Sequence, residues 1–146
     1  MANAKAMLGE FGYAKNILNK VSNNVSLKYG KHSSEYASIL QIFAFVESKC
    51  YNYATTVKYQ KEANQILENL YGRFDNDYLL GLSLIASSLS GLGEDNEAGK
   101  YAQKLLNLSE KRYGKNSAKY AYALAHCSYL KEDNKKLDLL LKSLEI

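Results

Sequence analysis

The stretch YGKHSSEYA at residues 29–37 returns as YGRFDNDYL at 71–79 and as YGKNSAKYA at 113–121. The three copies begin 42 residues apart, so the recurrence has a fixed period. A period of this length is typical of proteins in which each repeat forms one supersecondary unit and stacks on its neighbours. This repeat decides the fold class.

Between the YG copies, a mainly apolar stripe recurs at three- and four-residue spacing, as in Val57, Gln60, Ala63, Ile66, Leu67 and Leu70. This spacing predicts amphipathic helices, and each period is long enough for two of them. Proline, which would interrupt a helix, is absent from the chain. We therefore expect an all-α protein with two helices per repeat.

Helix start and stop signals recur with the same period. The first helix of each pair is predicted to begin after a residue whose side chain can accept a backbone hydrogen bond: Ser33, Asp75 and Ser117. The second helix is predicted to end at a tyrosine followed by glycine: Tyr29-Gly30, Tyr71-Gly72 and Tyr113-Gly114. Gly9 and Gly93 are expected to mark the turn inside a repeat.

Superposing the repeats aligns residues that would pack between helices. Leu40, Leu82 and Leu124 share one column. Two tyrosine columns, 29/71/113 and 36/78/120, are also shared, and we expect their rings to pack at the junctions between repeats. A ladder of tyrosines that binds a ligand is the alternative interpretation.

This pattern resembles the tetratricopeptide repeat (TPR), in the longer form found in kinesin light chains. The residues of the second helix and the following turn that match it are Thr56, Tyr59, Ala63, Ile66, Tyr71, Gly72 and Tyr78. The resemblance covers about residues 11–130 and implies a right-handed α-α superhelix of about 3.5 helix pairs. It implies a single domain over 1–146, and its parts are a partial repeat 1–30, repeats 31–72 and 73–114, and a C-terminal repeat 115–146.

In this family the first helix of each pair lines the concave surface. The resemblance therefore implies that a partner-binding groove is formed by Ser38, Gln41, Phe45, Leu80, Ser83, Ser87, Tyr122, His126 and Tyr129. These positions include no lysine or arginine, and they mix aromatic rings with small polar groups. Such a surface suits an apolar segment or helix of a partner protein, with Phe45, Tyr122 and Tyr129 as anchors. The alternative is that these rings only fill the inside of the curve.

No stretch of the sequence predicts catalysis or a cofactor. GLGEDNEAGK at 91–100 superficially resembles a phosphate-binding loop, but its glycines are one residue too far apart and Tyr101 replaces the required hydroxyl. His32 and His126 have no partners at metal-ligand spacing. We therefore expect a protein that is not an enzyme and that has no cofactor and no metal.

Composition limits the class of partner. The chain has 146 residues, 47% of them hydrophobic, and a net charge of only +4, which is low for a nucleic-acid-binding protein. No stretch is apolar enough to cross a membrane, and Cys50 and Cys127 lack disulfide or metal spacing. We expect a cytoplasmic protein whose partner is a protein or peptide, not nucleic acid or a membrane.

The function that these observations favour is a protein-interaction module or scaffold. Two alternatives remain open at this point: a constitutive structural subunit held through its ends and convex face, and a regulatory TPR domain of a larger enzyme. Self-association through the ends of the solenoid is a further expectation, because the segment LLLKSLEI at 139–146 is not a polar cap.

Overall fold

The computed structural model describes residues 2–129 and 143–144, with side chains for 9–125, 127 and 143–144. Residues 2–129 form six α-helices: α1 (Ala2–Tyr29), α2 (Ser34–Lys49), α3 (Tyr53–Tyr71), α4 (Asn76–Gly91), α5 (Asp95–Tyr113) and α6 (Ala118–Tyr129). Each helix packs against the next one in the chain. Helices α2, α4 and α6 begin 42 residues apart, as do α3 and α5, so the period of the sequence is the period of the fold.

The predicted helix starts and stops are confirmed. The side chains of Ser33, Asp75 and Ser117 each accept a hydrogen bond at 3.1 Å from the backbone N–H three residues further on. These bonds satisfy amide groups that have no partner within the first turn of a helix. Gly72 and Gly114 follow α3 and α5 with φ values of 83° and 77°, in the left-handed region that glycine adopts without a steric penalty.

The predicted turn at Gly9 is wrong. Helix α1 continues through Gly9 and Gly12 without a break over its 28 residues. A glycine inside a helix costs only about 1 kcal/mol relative to alanine, so it weakens the helix but does not end it. At Gly93 the prediction is correct, because its φ is 80° and it lies between α4 and α5.

A continuous apolar core runs through the two central repeats. Leu40, Leu82 and Leu124, the predicted leucine column, are at most 3% exposed and belong to one buried cluster. Of the tyrosines, Tyr78 and Tyr120 are buried in that cluster and Tyr36 packs against it. This column packs between helices as expected.

The second tyrosine column departs from the prediction. Tyr29 and Tyr71 are 48% and 58% exposed, whereas Tyr113 packs against the core and hydrogen-bonds across to α4. The side chains that hold Tyr113 are Asn76 and Lys119, and the equivalent positions around Tyr71 have the shorter Ser34 and Asp77. The recurrence of a residue type therefore did not guarantee recurrence of its contacts.

Helix α1 is joined to the first complete repeat by a buried polar contact. Lys15 Nζ lies 2.9 Å from Glu47 Oε1, and Asn52 Nδ2 donates to Glu47 Oε2 at 2.6 Å. The hydrogen bond to Glu47 raises the pKa of Lys15 above its ordinary value. Because Glu47 is only 7% exposed, these two donors compensate for the loss of water around its carboxylate.

Candidate functional site

The predicted groove residues lie on α2, α4 and α6, and we call the exposed side of these three helices the first-helix face. Phe45, Leu80 and Tyr122 are 56%, 61% and 57% exposed on it. Gln41 and Ser83 are half-buried, while Ser38 and Ser87 are exposed. The side chains of His126 and Tyr129 lie outside the described residues.

A cavity of about 240 Å³ opens on this face between α4 and α6, and α5 closes it from below. Its lining residues are Asn76, Leu79, Leu80, Ser83, Leu105, Ser109, Tyr113, Lys119 and Tyr122. Of the predicted groove residues, the cavity brings together Leu80, Ser83 and Tyr122.

Helical periodicity explains how the cavity is assembled. Leu79, Leu80 and Ser83 lie within one turn of α4, so their side chains share the side of the helix that faces the cavity. Tyr122 occupies the position of Leu80 in the next repeat, 42 residues on. Leu105, Ser109 and Tyr113 recur every four residues along α5 and form the floor.

The walls of the cavity are mainly apolar, and the polar groups gather at one end. There the Tyr113 hydroxyl donates to Asn76 Oδ1, and Lys119 Nζ lies 3.2 Å from the same oxygen. Lys119 Nζ also lies 3.3 Å from the Tyr113 hydroxyl oxygen and 4.7 Å from the centre of its ring. Among the described residues, Lys119 takes part in no ion pair.

Four of the predicted groove residues lie away from the cavity: Ser38, Gln41, Phe45 and Ser87. Gln41 and Phe45 are on α2, where the ammonium of Lys49 sits 5.1 Å from the centre of the Phe45 ring. Ser87 lies further along α4, and its hydroxyl donates to the Ser83 carbonyl at 2.9 Å. These residues extend the first-helix face on either side of the cavity.

The projected position His126 is one residue out of register. Adding the 42-residue period to Gln41 and Ser83 leads to Ala125, and His126 instead follows Ile42 and Leu84. Ala125 is exposed on α6. The period therefore indicates Ala125 as the third member of that column.

Sequence reasoning missed the polar end of the cavity. The sequence predicts Tyr113 as a packing residue, with a ligand-binding tyrosine ladder as the alternative, and it predicts no role in the groove for Asn76 or Lys119. A signal was present for Lys119, because the earlier repeats have the acids Glu35 and Asp77 at its position. A change of charge sign within an otherwise regular column indicates that one repeat differs in what it contacts.

The described part of the chain contains neither a candidate metal cluster nor a candidate membrane span. No three His, Cys, Asp or Glu side chains within that part lie close enough to hold a metal ion together. None of its helices is both long and apolar enough to span a bilayer. Every buried side-chain nitrogen or oxygen in the same residues has a hydrogen-bond partner.

Two solved structures resemble this chain over nearly its whole length. A crystal structure of nearly identical TPR-like repeats of a kinesin light chain protein from Podospora anserina has a TM-score of 0.83 at 11% identity, covering 94% of this chain and 67% of that one. The crystal structure of BtubC (BKLC) from P. vanneervenii has a TM-score of 0.81 at 14% identity, covering 99% and 59%. This chain thus spans about three-fifths of the length of BtubC.

No protein-family model and no curated protein matches the sequence. At identities of 11% and 14%, the structural likeness shows the fold. A TPR-like repeat scaffold is typical of protein–protein interaction. The chain therefore has the TPR-like fold, an all-α right-handed superhelix built from the 42-residue repeat.

Proposed function

We propose that this protein is an interaction module that binds a segment of a partner protein on the first-helix face, and that the cavity between α4 and α6 receives an apolar side chain of that segment. The observation that carries the proposal is the cavity itself, with apolar walls and one polar end. A cavity of about 150 Å³ already holds a benzene ring. The 240 Å³ here is enough for one aromatic or branched aliphatic side chain.

The exposed apolar residues around the cavity supply contact area. Leu80 and Tyr122 stand on opposite sides of it, each more than half exposed. Covering them with a partner removes apolar surface from water, which is worth about 25 cal/mol per Å² before the costs of association. Tyrosine is enriched among residues that dominate binding energy, because its rigid ring loses little entropy on binding.

The polar end of the cavity would orient the partner segment. Lys119 donates hydrogen bonds, and its charge is not neutralised by an ion pair among the described residues. A carbonyl or carboxylate oxygen of the partner next to the inserted side chain would complete its coordination. Binding would then depend on salt concentration only modestly, because one charge is involved.

The test begins with peptides selected from a random phage-displayed library on the immobilised protein. Their affinities are then measured by fluorescence anisotropy for the wild type, for Tyr122→Ala and for Leu80→Ala. We expect Tyr122→Ala to weaken binding roughly 30-fold, equivalent to about 2 kcal/mol, because it removes one wall of the cavity. Circular dichroism melting curves check that each variant is folded.

Phe45→Ala is the matched control: the sequence predicts Phe45 as an anchor, but the proposed cavity does not include it, and the substitution removes an equally exposed ring from the same face. Its affinity should stay within about twofold of the wild type. If the selected peptides bind Tyr122→Ala as tightly as the wild type, the cavity is not the site. Loss of binding in Phe45→Ala alone would move the site to α2, nearer to Gln41. Ser87, His126 and Tyr129 stay predicted contacts of a longer partner segment.

A further inference from the structure

Helix α1 carries an apolar stripe that the described helices leave half exposed. Ile17 and Val21 lie one turn apart and are 44% and 37% exposed, and Tyr13 in the turn before them is 70% exposed. Ala14 lies on the same side of the helix and is also not buried. The neighbouring side of α1, with Phe11 and Leu18, packs against α2.

The internal repeat shows what normally covers this stripe. The positions equivalent to Ala14 and Val21 in α3 are Thr56 and Ala63, and both are 0% exposed. In α5 they are Ala98 and Leu105, at 0% and 4%. In these two repeats the second helix packs against the first helix of its own pair, α2 against α3 and α4 against α5, and the Phe43 ring of α2 stacks on Tyr59 of α3. The exposed surface of α1 is therefore equivalent to surfaces of α3 and α5 that are covered by another helix.

The contacts within those interfaces indicate which side chains of a docked helix would pack on α1. Phe43 stacks on Tyr59, whose equivalent in α1 is Ile17, with ring centres 5.1 Å apart. In the next repeat Ile85 lies in one cluster with Ala98 and Tyr101, the equivalents of Ala14 and Ile17. A ring or branched aliphatic side chain therefore belongs opposite Ile17.

A leucine and an alanine complete the pattern. Ala63 and Leu105, the equivalents of Val21, lie in one buried cluster with Leu40 of α2 and Leu82 of α4, so a leucine is expected near Val21. An alanine follows the aromatic or branched residue in both helices, Ala44 after Phe43 and Ala86 after Ile85, and both alanines are 0% exposed. Small residues at this point let the two helix backbones approach closely.

We infer that the Ala14–Val21 surface of α1 is a second docking site, which binds an amphipathic helix of a partner protein with the pattern Leu-x-x-(Phe or Ile)-Ala. The site is at the α1 end of the solenoid and shares no residue with the cavity between α4 and α6. It is independent of the proposed function on the first-helix face. One molecule can bind a segment at the cavity and a helix at α1 at the same time.

The probe for this site is a peptide with the sequence of residues 33–50, which contains the pattern, with Cys50 changed to Ser and a fluorescent label. We expect saturable, micromolar binding to the full chain, measured by anisotropy. Ile17→Glu together with Val21→Glu should weaken it at least tenfold, because both carboxylates would be buried without partners. The same loss is expected when the peptide carries Phe43→Glu.

Leu27→Glu is the control variant, since Leu27 lies on the same helix, is 86% exposed and is not part of the stripe. It should leave the affinity unchanged. If the peptide does not bind, or binds the double variant as well as the wild type, the inference is overturned. Sedimentation of the chain alone tests the other occupant: a dimer that dissociates in the double variant would show that a second copy, not a partner helix, covers α1.

Discussion

At the scale of single residues, Tyr51 is the most unusual position in the backbone. Its φ is 61°, and of the residues described it is the one non-glycine with a positive φ. It occupies the turn between α2 and α3, and the equivalent residue in the next repeat is Gly93, with φ 80°. The side chain is 78% exposed, and its ring meets Tyr53 edge-on at 6.2 Å. The turn therefore requires a residue in the left-handed backbone conformation, and in this repeat that residue is a tyrosine instead of a glycine.

The first prediction concerns this strain. In the left-handed region a β-carbon costs roughly 1–2 kcal/mol, so Tyr51→Gly should be more stable than Tyr51→Ala by about 1 kcal/mol. Comparing glycine with alanine isolates the backbone term, because both variants lose the contact with Tyr53. Urea unfolding followed by circular dichroism measures the difference. Equal midpoints for the two variants would mean that the turn relaxes around the substitution.

Some contacts between residues could not be predicted from the repeat. Gly81 in α4 is buried, and a β-carbon there would lie 1.9 Å from Asn64 Oδ1. Asn64 accepts from Gln60 and donates to the Tyr78 carbonyl, so this repeat has a buried polar cluster. The next repeat has Leu106 and Ala123 at the positions of Asn64 and Gly81. Only the structure shows that the larger polar side chain of Asn64 occupies the space left by the missing side chain of Gly81.

At the scale of helices, the sequence correctly predicted the features that depend only on residues a few positions away, such as the helix caps. The caps at Ser33, Asp75 and Ser117 act on the amide three residues on, so the local sequence contains all the information they need. The predicted turn at Gly9 was wrong because it depends on residues far along the chain. Whether a glycine turns the chain depends on a second helix folding back onto the first, and that is a tertiary contact.

The second prediction concerns the turn between α3 and α4. Arg73 Nε lies 2.6 Å from Glu68 Oε1, and this hydrogen bond is the largest cause that lowers the pKa of Glu68 below its ordinary value. A lowered pKa in the folded state stabilises the fold above the ordinary pKa, and that contribution is lost as the pH falls through the lowered value. In Arg73→Gln the pKa of Glu68 should therefore rise toward the ordinary range, as carboxyl NMR titration would show.

The stability of the fold should change with pH in the direction that the lowered pKa of Glu68 implies. The urea midpoint of Arg73→Gln should be slightly below that of the wild type at neutral pH, and the two should converge well below the pKa of Glu68. The effect is small because the Arg73 side chain is 61% exposed and water screens the pair. Lys111→Gln removes one exposed charge from α5 that takes part in no ion pair among the described residues, and it serves as the control. A pKa of Glu68 that stays low without Arg73 would assign the shift to Tyr78 and Lys104 instead.

At the scale of the whole molecule, the cavity shows why a site is harder to predict than a fold. The column that relates Leu80 to Tyr122 is visible in the sequence, and it identified two residues on opposite sides of the cavity. The floor comes from α5, and the polar end requires Lys119, Tyr113 and Asn76 to meet from three helices. The depth of the cavity and its polar end depend on contacts among α4, α5 and α6. An alignment of the repeats, which compares equivalent positions, does not show these contacts.

The last prediction concerns how stability is distributed along the solenoid. In a repeat array each unit contacts only its neighbours, so the effect of a core mutation depends on how many interfaces it touches. Leu82 is 1% exposed in the cluster shared by the central repeats, and Leu18 is 9% exposed in a separate cluster beneath α1. Leu82→Ala should cost about 3 kcal/mol and raise amide hydrogen exchange from α2 to α6. Leu18→Ala, by contrast, should raise exchange mainly in α1 and leave α4 and α5 protected. Exchange that rises equally everywhere in both variants would instead mean that the chain unfolds as one cooperative unit, with α1 coupled to the central core as tightly as the repeats are coupled to each other.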